Sequence, residues 1–285
     1  EVTFIIKKKS YFILKNIYMK INLSISHLGW RKDENKNVIK ILKKNKIRNI
    51  DIVLGRYFNN IEKLDNKKIL NLKAFWKSKG IKIYGMQSIL YGYEDFNIFK
   101  SDFDRNKLLD VIKKVNIIAK NLGVRFITFG CPKNRFQPKN QSTNLAIDFF
   151  RLISKNLNKN ITLCIEPIPK IYNNNFLTST KDVLKFLKKV NKKNILCQLD
   201  MSAIKINKDN LNYILKYKNY IGHIHISDTH LNKIQYNEVN KRIISFFIKN
   251  FNKKVFAIEI LGNKKSNLET INKSIININR MVNEL

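Results

Sequence analysis

GHIHIS, residues 222–227, alternates small or polar with apolar residues. In an extended strand successive side chains point to opposite faces, so His223 and His225 share one face and Ile224 and Ile226 the other. Three further runs obey the same rule. In ITLCIEP (161–167), Cys164 and Glu166 oppose Leu163 and Ile165; in ILCQLD (195–200), Gln198 and Asp200 oppose Cys197 and Leu199. In VFAIEI (255–260), Ala257 and Glu259 oppose Ile258 and Ile260. Each run thus has an apolar face for a helix layer and a small or polar face for an interior. Each polar face closes on an ionisable residue at the C-terminal end of its strand: Glu166, Asp200, His225 and Glu259.

Outward from these runs one pattern recurs from Lys20 onward, a short β-rich run followed by apolar residues three or four apart. Strands are predicted at Lys20–Ser26, Asn49–Leu54, Ile81–Gln87, Val124–Gly130, Ile161–Glu166, Ile195–Asp200, Gly222–Ser227 and Lys254–Ile260. Helices are predicted near 35–45, 66–79, 105–121, 142–157, 179–190, 208–218, 236–250 and 266–283. Ser179-Thr180-Lys181-Asp182 is a cap for the fifth helix, and Asp209 is expected to open the sixth. Eight such units over about 265 residues fit an α/β fold of the (β/α)8 TIM-barrel type in a single domain. A doubly wound sheet competes less well, because no Gly-rich phosphate turn follows any strand.

The 285 residues carry 55 Lys plus Arg against 21 Asp plus Glu, a formal net charge of +34. Such an excess invites a nucleic acid or anionic membrane partner. Yet Lys (46), Ile (44) and Asn (40) dominate, whereas Arg occurs 9 times and Ala 5, the signature of AT-rich codons. The basic residues are scattered, so neither nucleic acid nor membrane is expected as a partner. No apolar run approaches the roughly 20 residues that span a bilayer. Cys131, Cys164 and Cys197 have no metal-like spacing and read as core thiols of a reducing, cytoplasmic protein. Residues 1–18 make a poor signal peptide and are expected to be an N-terminal appendage, with the natural start at Met19 and the barrel over 19–285.

Glu166, Asp200, His225 and Glu259 at one barrel mouth form a mixed O/N ligand set for a hard or borderline divalent ion: Mn²⁺, Co²⁺ or Mg²⁺, with Zn²⁺ a further candidate. Carboxylates converging this closely would repel one another without a cation between them. CIEPIP with Glu166, the strand-six Asp200, GHIHISD with His225 and AIEI with Glu259 resemble the metal-ligand motifs of the xylose-isomerase-like TIM barrels, which include sugar phosphate isomerases/epimerases. SISHLGW near His27, YGMQSILYG near Gln87 and FGCPKNR at 129–135 also resemble that family. The resemblance covers nearly the whole chain from Met19. It implies aldose–ketose isomerisation or ketose epimerisation of a small carbohydrate, free or phosphorylated. Glu166 and Glu259 would be both ligands and the acid/base pair, acting through a cis-enediolate held by the cation. It also implies homo-oligomers, common in the family.

The chain departs from many epimerases of this group at two places. Where they carry a His three residues after the strand-six Asp, this chain has Ala203, and for an Arg after the strand-seven motif it offers only His230 and Lys233. A dehydratase or a hydroxypyruvate-type isomerase would share the same four ligands. Candidate substrate contacts are His27, Gln87, Arg135, His223 and Asp228. His27 reads equally as a surface histidine, His223 as a residue of the layer below His225, and Asp228 as a turn residue. Tyr172 to Asn175 are expected in a substrate-side loop. Trp30 and Phe96 are candidates to line the mouth, with core packing as the default. Two other classes fit poorly. A trinuclear-zinc abasic-site nuclease needs more histidines than the four present, and a non-catalytic sugar-binding barrel leaves the complete quartet unexplained.

Overall fold

The computed structural model describes residues 21–285 apart from 59, 62 and 263–265; the expected appendage at 1–18 and Met19 lie outside these residues. Eight parallel strands close into a barrel in sequence order. They are β1 Asn22–Ser26, β2 Asn49–Val53, β3 Lys82–Gln87, β4 Phe126–Phe129, β5 Thr162–Ile165, β6 Ile195–Asp200, β7 Ile221–Ser227 and β8 Val255–Glu259. Around them run α1 Asn35–Lys44, α2 Asn66–Ser78, α3 Asp102–Leu122, α4 Thr143–Asn156, α5 Thr180–Val190, α6 Met201–Asn207, α7 Leu211–Lys216, α8 Glu238–Phe251 and α9 Leu268–Asn283. The expected (β/α)8 architecture is present, with most element ends within one or two residues of those predicted.

The predicted helix near 208–218 requires correction. The chain enters α6 directly after Asp200, breaks at Lys208 with φ +51°, and resumes as α7. Asn210 caps α7 by accepting from Tyr213 N–H, while Asp209 accepts from Thr180 N–H at 3.1 Å. The apolar spacing of 201–207 is only two turns long, too short to stand out from the strand before it. At the fifth helix the expected cap is present: Ser179 and Asp182 close a reciprocal capping box.

Apolar helix faces cover the outside of the barrel. Ile224, Ile226, Leu163, Ile165, Leu199 and Ile258 are all buried there, facing helix residues such as Phe150, Leu184 and Ile244. Each buried side chain of this size stabilises by about 1.5–3 kcal/mol. The interior differs from the branched apolar filling usual in such barrels. Ser24, Ser26, Asp51, Gln87, Thr128, Gln198, His223, His225 and Ser227 are all buried. Their polar atoms need partners inside the barrel, and most have them. A register shift between Ile50 and Asp51 against β3 brings Gly85 beside Asp51. A Cβ on Gly85 would collide with the Asp51 carboxylate, so only glycine lets this acid into the interior.

Candidate metal centre and its cavity

Two polar layers are stacked in the upper barrel. In the lower one, Ser24 Oγ donates to Asp51 Oδ1 at 2.6 Å, and His223 Nε2 meets Asp51 Oδ2 at 2.6 Å. The Phe126 ring stacks on His223 with centroids 5.2 Å apart, and Thr128 Oγ1 donates to Gln198 Oε1 at 3.2 Å. Burial pushes the Asp51 carboxyl up, but His223 and Ser24 outweigh it and hold the group below the ordinary carboxylate range. In this layer the Asp51 carboxylate is paired at both oxygens, while Gln198 Nε2 is buried without a partner.

One layer higher, Glu166, Asp200, His225 and Glu259 each bring a ligand atom within 4.8 Å of one another. Local structure fixes each of them. Glu166 follows β5 and keeps its strand bonding through Glu166 N–H to the Phe129 carbonyl, 3.1 Å. Gly130 leaves room for its carboxylate, which a Cβ there would strike. Asp200 ends β6 and caps α6, accepting from Ala203 N–H at 2.7 Å and from the Ser227 hydroxyl. Gln87 Nε2 donates to Glu259 Oε1 at 2.8 Å and also reaches Ser26 Oγ. His225 Nδ1 lies 2.9 Å from Glu166 Oε1 and 3.2 Å from Glu259 Oε2.

The electrostatics of this upper layer are unbalanced. Burial, then repulsion from Glu259, raises the Glu166 carboxyl above its ordinary value against the pull of His225 and Arg135. Asp200 is pushed up to about 7 by burial and then by Glu166 and Glu259. Burial alone would lower His225, but Glu259 and Glu166 raise it well above an ordinary histidine. Three carboxylates thus share one imidazole. The residues fit a divalent cation: the donors are oxygen and imidazole nitrogen, they converge, and the excess negative charge is what such an ion neutralises.

The quartet opens into a cavity of about 330 Å³. Glu166, Asp200, Glu259, Gln87, Thr128 and Ser202 form its polar part, and Leu28, Leu90, Tyr91, Pro132, Pro169, Tyr172 and Leu231 line its walls. Tyr172 Oη accepts from His230 N–H at 2.9 Å, joining the β5 and β7 loops over β6. His230 and Leu231 both have left-handed backbone, φ +57° and +52°, a conformation that non-glycine residues adopt at a cost.

Of the five candidate substrate contacts, the structure brings Gln87 alone to the cavity wall. His27 is fully buried, stacked on Tyr57 with centroids 4.6 Å apart and edge-on to Trp30. Burial and then Arg56 lower its pKa to about 3, so it is a neutral core ring and not a surface histidine. Arg135 is also fully buried; its Nη2 donates to the Glu166 backbone carbonyl at 2.6 Å, behind the quartet. His223 belongs to the layer below. Asp228 accepts from Thr229 N–H (2.8 Å), Gln235 N–H (3.1 Å), Asn240 Nδ2 (3.0 Å) and Lys205 Nζ, which is a turn role. Trp30 is buried with Nε1 donating to Asn35, and Phe96 packs on Phe103. Cys131 departs from the core reading: it is half-buried and lines the cavity, whereas Cys164 and Cys197 are buried. Sequence reading missed Asp51, although its place between Ile50 and Ile52 marks it as the inward face of β2.

The sequence profile of the xylose isomerase-like TIM barrel matches residues 23–242. The chain belongs to this family. No curated protein matches its sequence. Solved structures of the same fold include D-psicose 3-epimerase from Clostridium cellulolyticum H10, at 14% identity and TM-score 0.69, covering 93% of this chain and 95% of that one. A 3-keto-D-glucoside 4-epimerase from E. coli gives 14% identity and TM-score 0.73 over 92% of this chain and all of its own length (100%). A probable 3-DHS dehydratase of petrobactin synthesis from Bacillus anthracis gives 14% and 0.64, covering 90% and 98%. At these identities the likeness is one of fold. Among the described residues, no helix is long and apolar enough to cross a membrane.

Proposed function

We propose that this protein is a divalent-metal-dependent sugar isomerase or epimerase of the cytoplasm. The observation that carries the reading is the convergence of three carboxylates and one imidazole within 4.8 Å at the floor of a cavity, on the C-terminal ends of consecutive strand positions in a family barrel. Glu166, Asp200, His225 and Glu259 would hold Mn²⁺, Co²⁺ or Mg²⁺, which when bound would acidify the C–H next to a sugar carbonyl.

Glu166 and Glu259 are the acid/base pair of this reading. Both line the cavity and flank His225 Nδ1 from β5 and β8. One carboxylate removes the proton next to the carbonyl; the enediolate that results accepts a proton from the other face or at the neighbouring carbon. The first outcome is epimerisation and the second isomerisation. Gln87 donates to Glu259 and so holds that carboxylate toward the cavity.

A metal-dependent dehydratase or hydroxypyruvate-type isomerase on the same quartet is the second reading. Ala203 in place of a histidine, and a β7 loop without arginine, favour it over a ketose 3-epimerase. Incubation with Mn²⁺ in D₂O with a panel of aldoses, ketoses and their phosphates separates these. Deuterium next to the carbonyl with a new isomer of a sugar supports the first reading; deuterium with loss of water supports the dehydratase, and exchange confined to added hydroxypyruvate supports the hydroxypyruvate-type isomerase. No exchange from any substrate, with Glu166→Gln and Glu259→Gln indistinguishable from wild type, contradicts both.

A further inference from the structure

His225 faces two ways. Its Nδ1 is turned to the carboxylates of the quartet, 2.9 Å from Glu166 Oε1 and 3.2 Å from Glu259 Oε2, and is the nitrogen placed to meet a cation there. Its Nε2 is fully buried and, among the described residues, has no hydrogen-bond partner. The lower layer lies close by: Asp51, His223 and His225 each bring a ligand-type atom within 4.8 Å of one another. The His223 and His225 rings stand 5.6 Å apart at 76°. Asp51 Oδ1 accepts from Ser24 Oγ and Oδ2 meets His223 Nε2, both at 2.6 Å. A carboxylate has about four acceptor sites, so Asp51 has capacity left for a further donor.

A nitrogen that binds a metal carries no proton, so with Nδ1 as the ligand the neutral ring holds its proton on Nε2. That makes Nε2 a buried donor, and buried donors are nearly always paired. Metal-ligating histidines meet this need by donating the second N–H to a carboxylate, a carbonyl or a water, which fixes tautomer and ring orientation. We propose that Asp51 is the positioning residue of His225, accepting its Nε2–H directly or through one buried water and so presenting Nδ1 to the metal. The proposal rests on the metal reading above. It also accounts for what a stability role leaves unexplained. Admitting Asp51 to the interior requires glycine at position 85 and a register shift against β3. Replacing a buried ion pair by well-packed apolar groups is often neutral or stabilising, so stability alone gives no reason for that arrangement. A place one layer under a metal ligand does.

The test is calorimetric titration with Mn²⁺ of metal-free, full-length Asp51→Asn, beside wild type and Val115→Ala. Val115 is fully buried on α3 in the helix layer, so its truncation lowers stability without touching either polar layer. Asp51→Asn is expected to bind Mn²⁺ about 10–100-fold more weakly than wild type. Val115→Ala should melt at a lower temperature with its Mn²⁺ affinity kept within about twofold. A merely structural Asp51 would behave as Val115 does, losing stability and keeping affinity, and that result overturns the proposal. The second readout needs no variant: the imidazole NMR spectrum of wild type loaded with diamagnetic Zn²⁺, in which the chain has only four histidines to resolve. The expected signal is a His225 Nε2–H protected from exchange and moved downfield by its acceptor. An Nε2 without a proton, or one that resonates and exchanges as in free imidazole, overturns the proposal. If wild type has no stoichiometric Mn²⁺ site the metal reading fails, while the same spectrum of metal-free protein still decides whether Asp51 holds the ring.

Discussion

Two histidine–carboxylate groups lie one layer apart on β7, and they behave oppositely. Around His223 the count is balanced: one carboxylate, Asp51, with Ser24 satisfying its second oxygen at 2.6 Å. Around His225 three carboxylates compete for one imidazole. The lower acid is held below its ordinary range, whereas Glu166 and Asp200 are raised above theirs. Residue type therefore does not distinguish a structural cluster from a candidate metal site. Charge balance does, because a fold gains nothing from like charges it has to bury.

The sharpest way to break the comparison is to neutralise the upper layer. Glu166→Gln and Glu259→Gln are each expected to cut sugar C–H exchange by about 10³-fold, measured by deuterium uptake, while the protein stays folded. In the lower layer the expected loss is one of stability. Asp51→Ala leaves His223 and Ser24 buried without their partner and should cost about 3 kcal/mol by urea unfolding. The double variant Asp51→Leu with His223→Phe should cost less than the sum of the single truncations Asp51→Ala and His223→Ala, since paired removal strands no polar group. A neutral Asp51→Ala would mean that the lower layer is not held by its pairing.

The two layers also predict opposite responses to pH in metal-free protein. Asp200 is raised from 3.8 to about 7 and His225 well above 6.5, so the folded state holds more protons than the unfolded chain. The stability that Asp200 contributes is present at low pH and is lost as pH rises from about 4 through 7, and that of His225 is lost as pH rises above about 6.5. Asp51, lowered, acts the other way, and its contribution fades as pH falls below about 4. Thermal melts across pH 4–8 should therefore decline toward neutrality without metal. Added Mn²⁺ should reverse the slope, because the ion binds deprotonated ligands. The smallest expected effect concerns the cysteines. Cys131, lining the cavity, should be alkylated by iodoacetamide while Cys164 and Cys197 stay protected in the native state. Equal labelling of all three would contradict the cavity's placement.

The barrel was legible because strand parity survives any composition. ILCQLD and GHIHIS alternate cleanly, and 195–200 is a strand in the structure with the same ends. The quartet was legible for the same reason, each member lying on the inward face at the C-terminal end of its strand. Short features escaped. The two-turn helix α6 lacks a period long enough to see, and the Lys208 break with φ +51° has no glycine to announce it. His27 and Arg135 were misplaced because their burial depends on partners remote in sequence, Tyr57 for the one and the Glu166 carbonyl for the other. Asp51 was marked as inward by its flanking isoleucines, but the room that Gly85 and a register shift make for it was not legible. Parity fixes which way a strand residue points; it says nothing of what a loop folds over it.

The central claim, that an acid-rich quartet holds one divalent ion, is tested most directly by calorimetric titration of metal-free protein with Mn²⁺ at pH 6 and pH 8. The account predicts one site per chain, tighter binding at pH 8 with proton release, and loss of that site in Asp200→Asn and His225→Ala. Absence of a stoichiometric site, or one whose affinity ignores both pH and these substitutions, would contradict it.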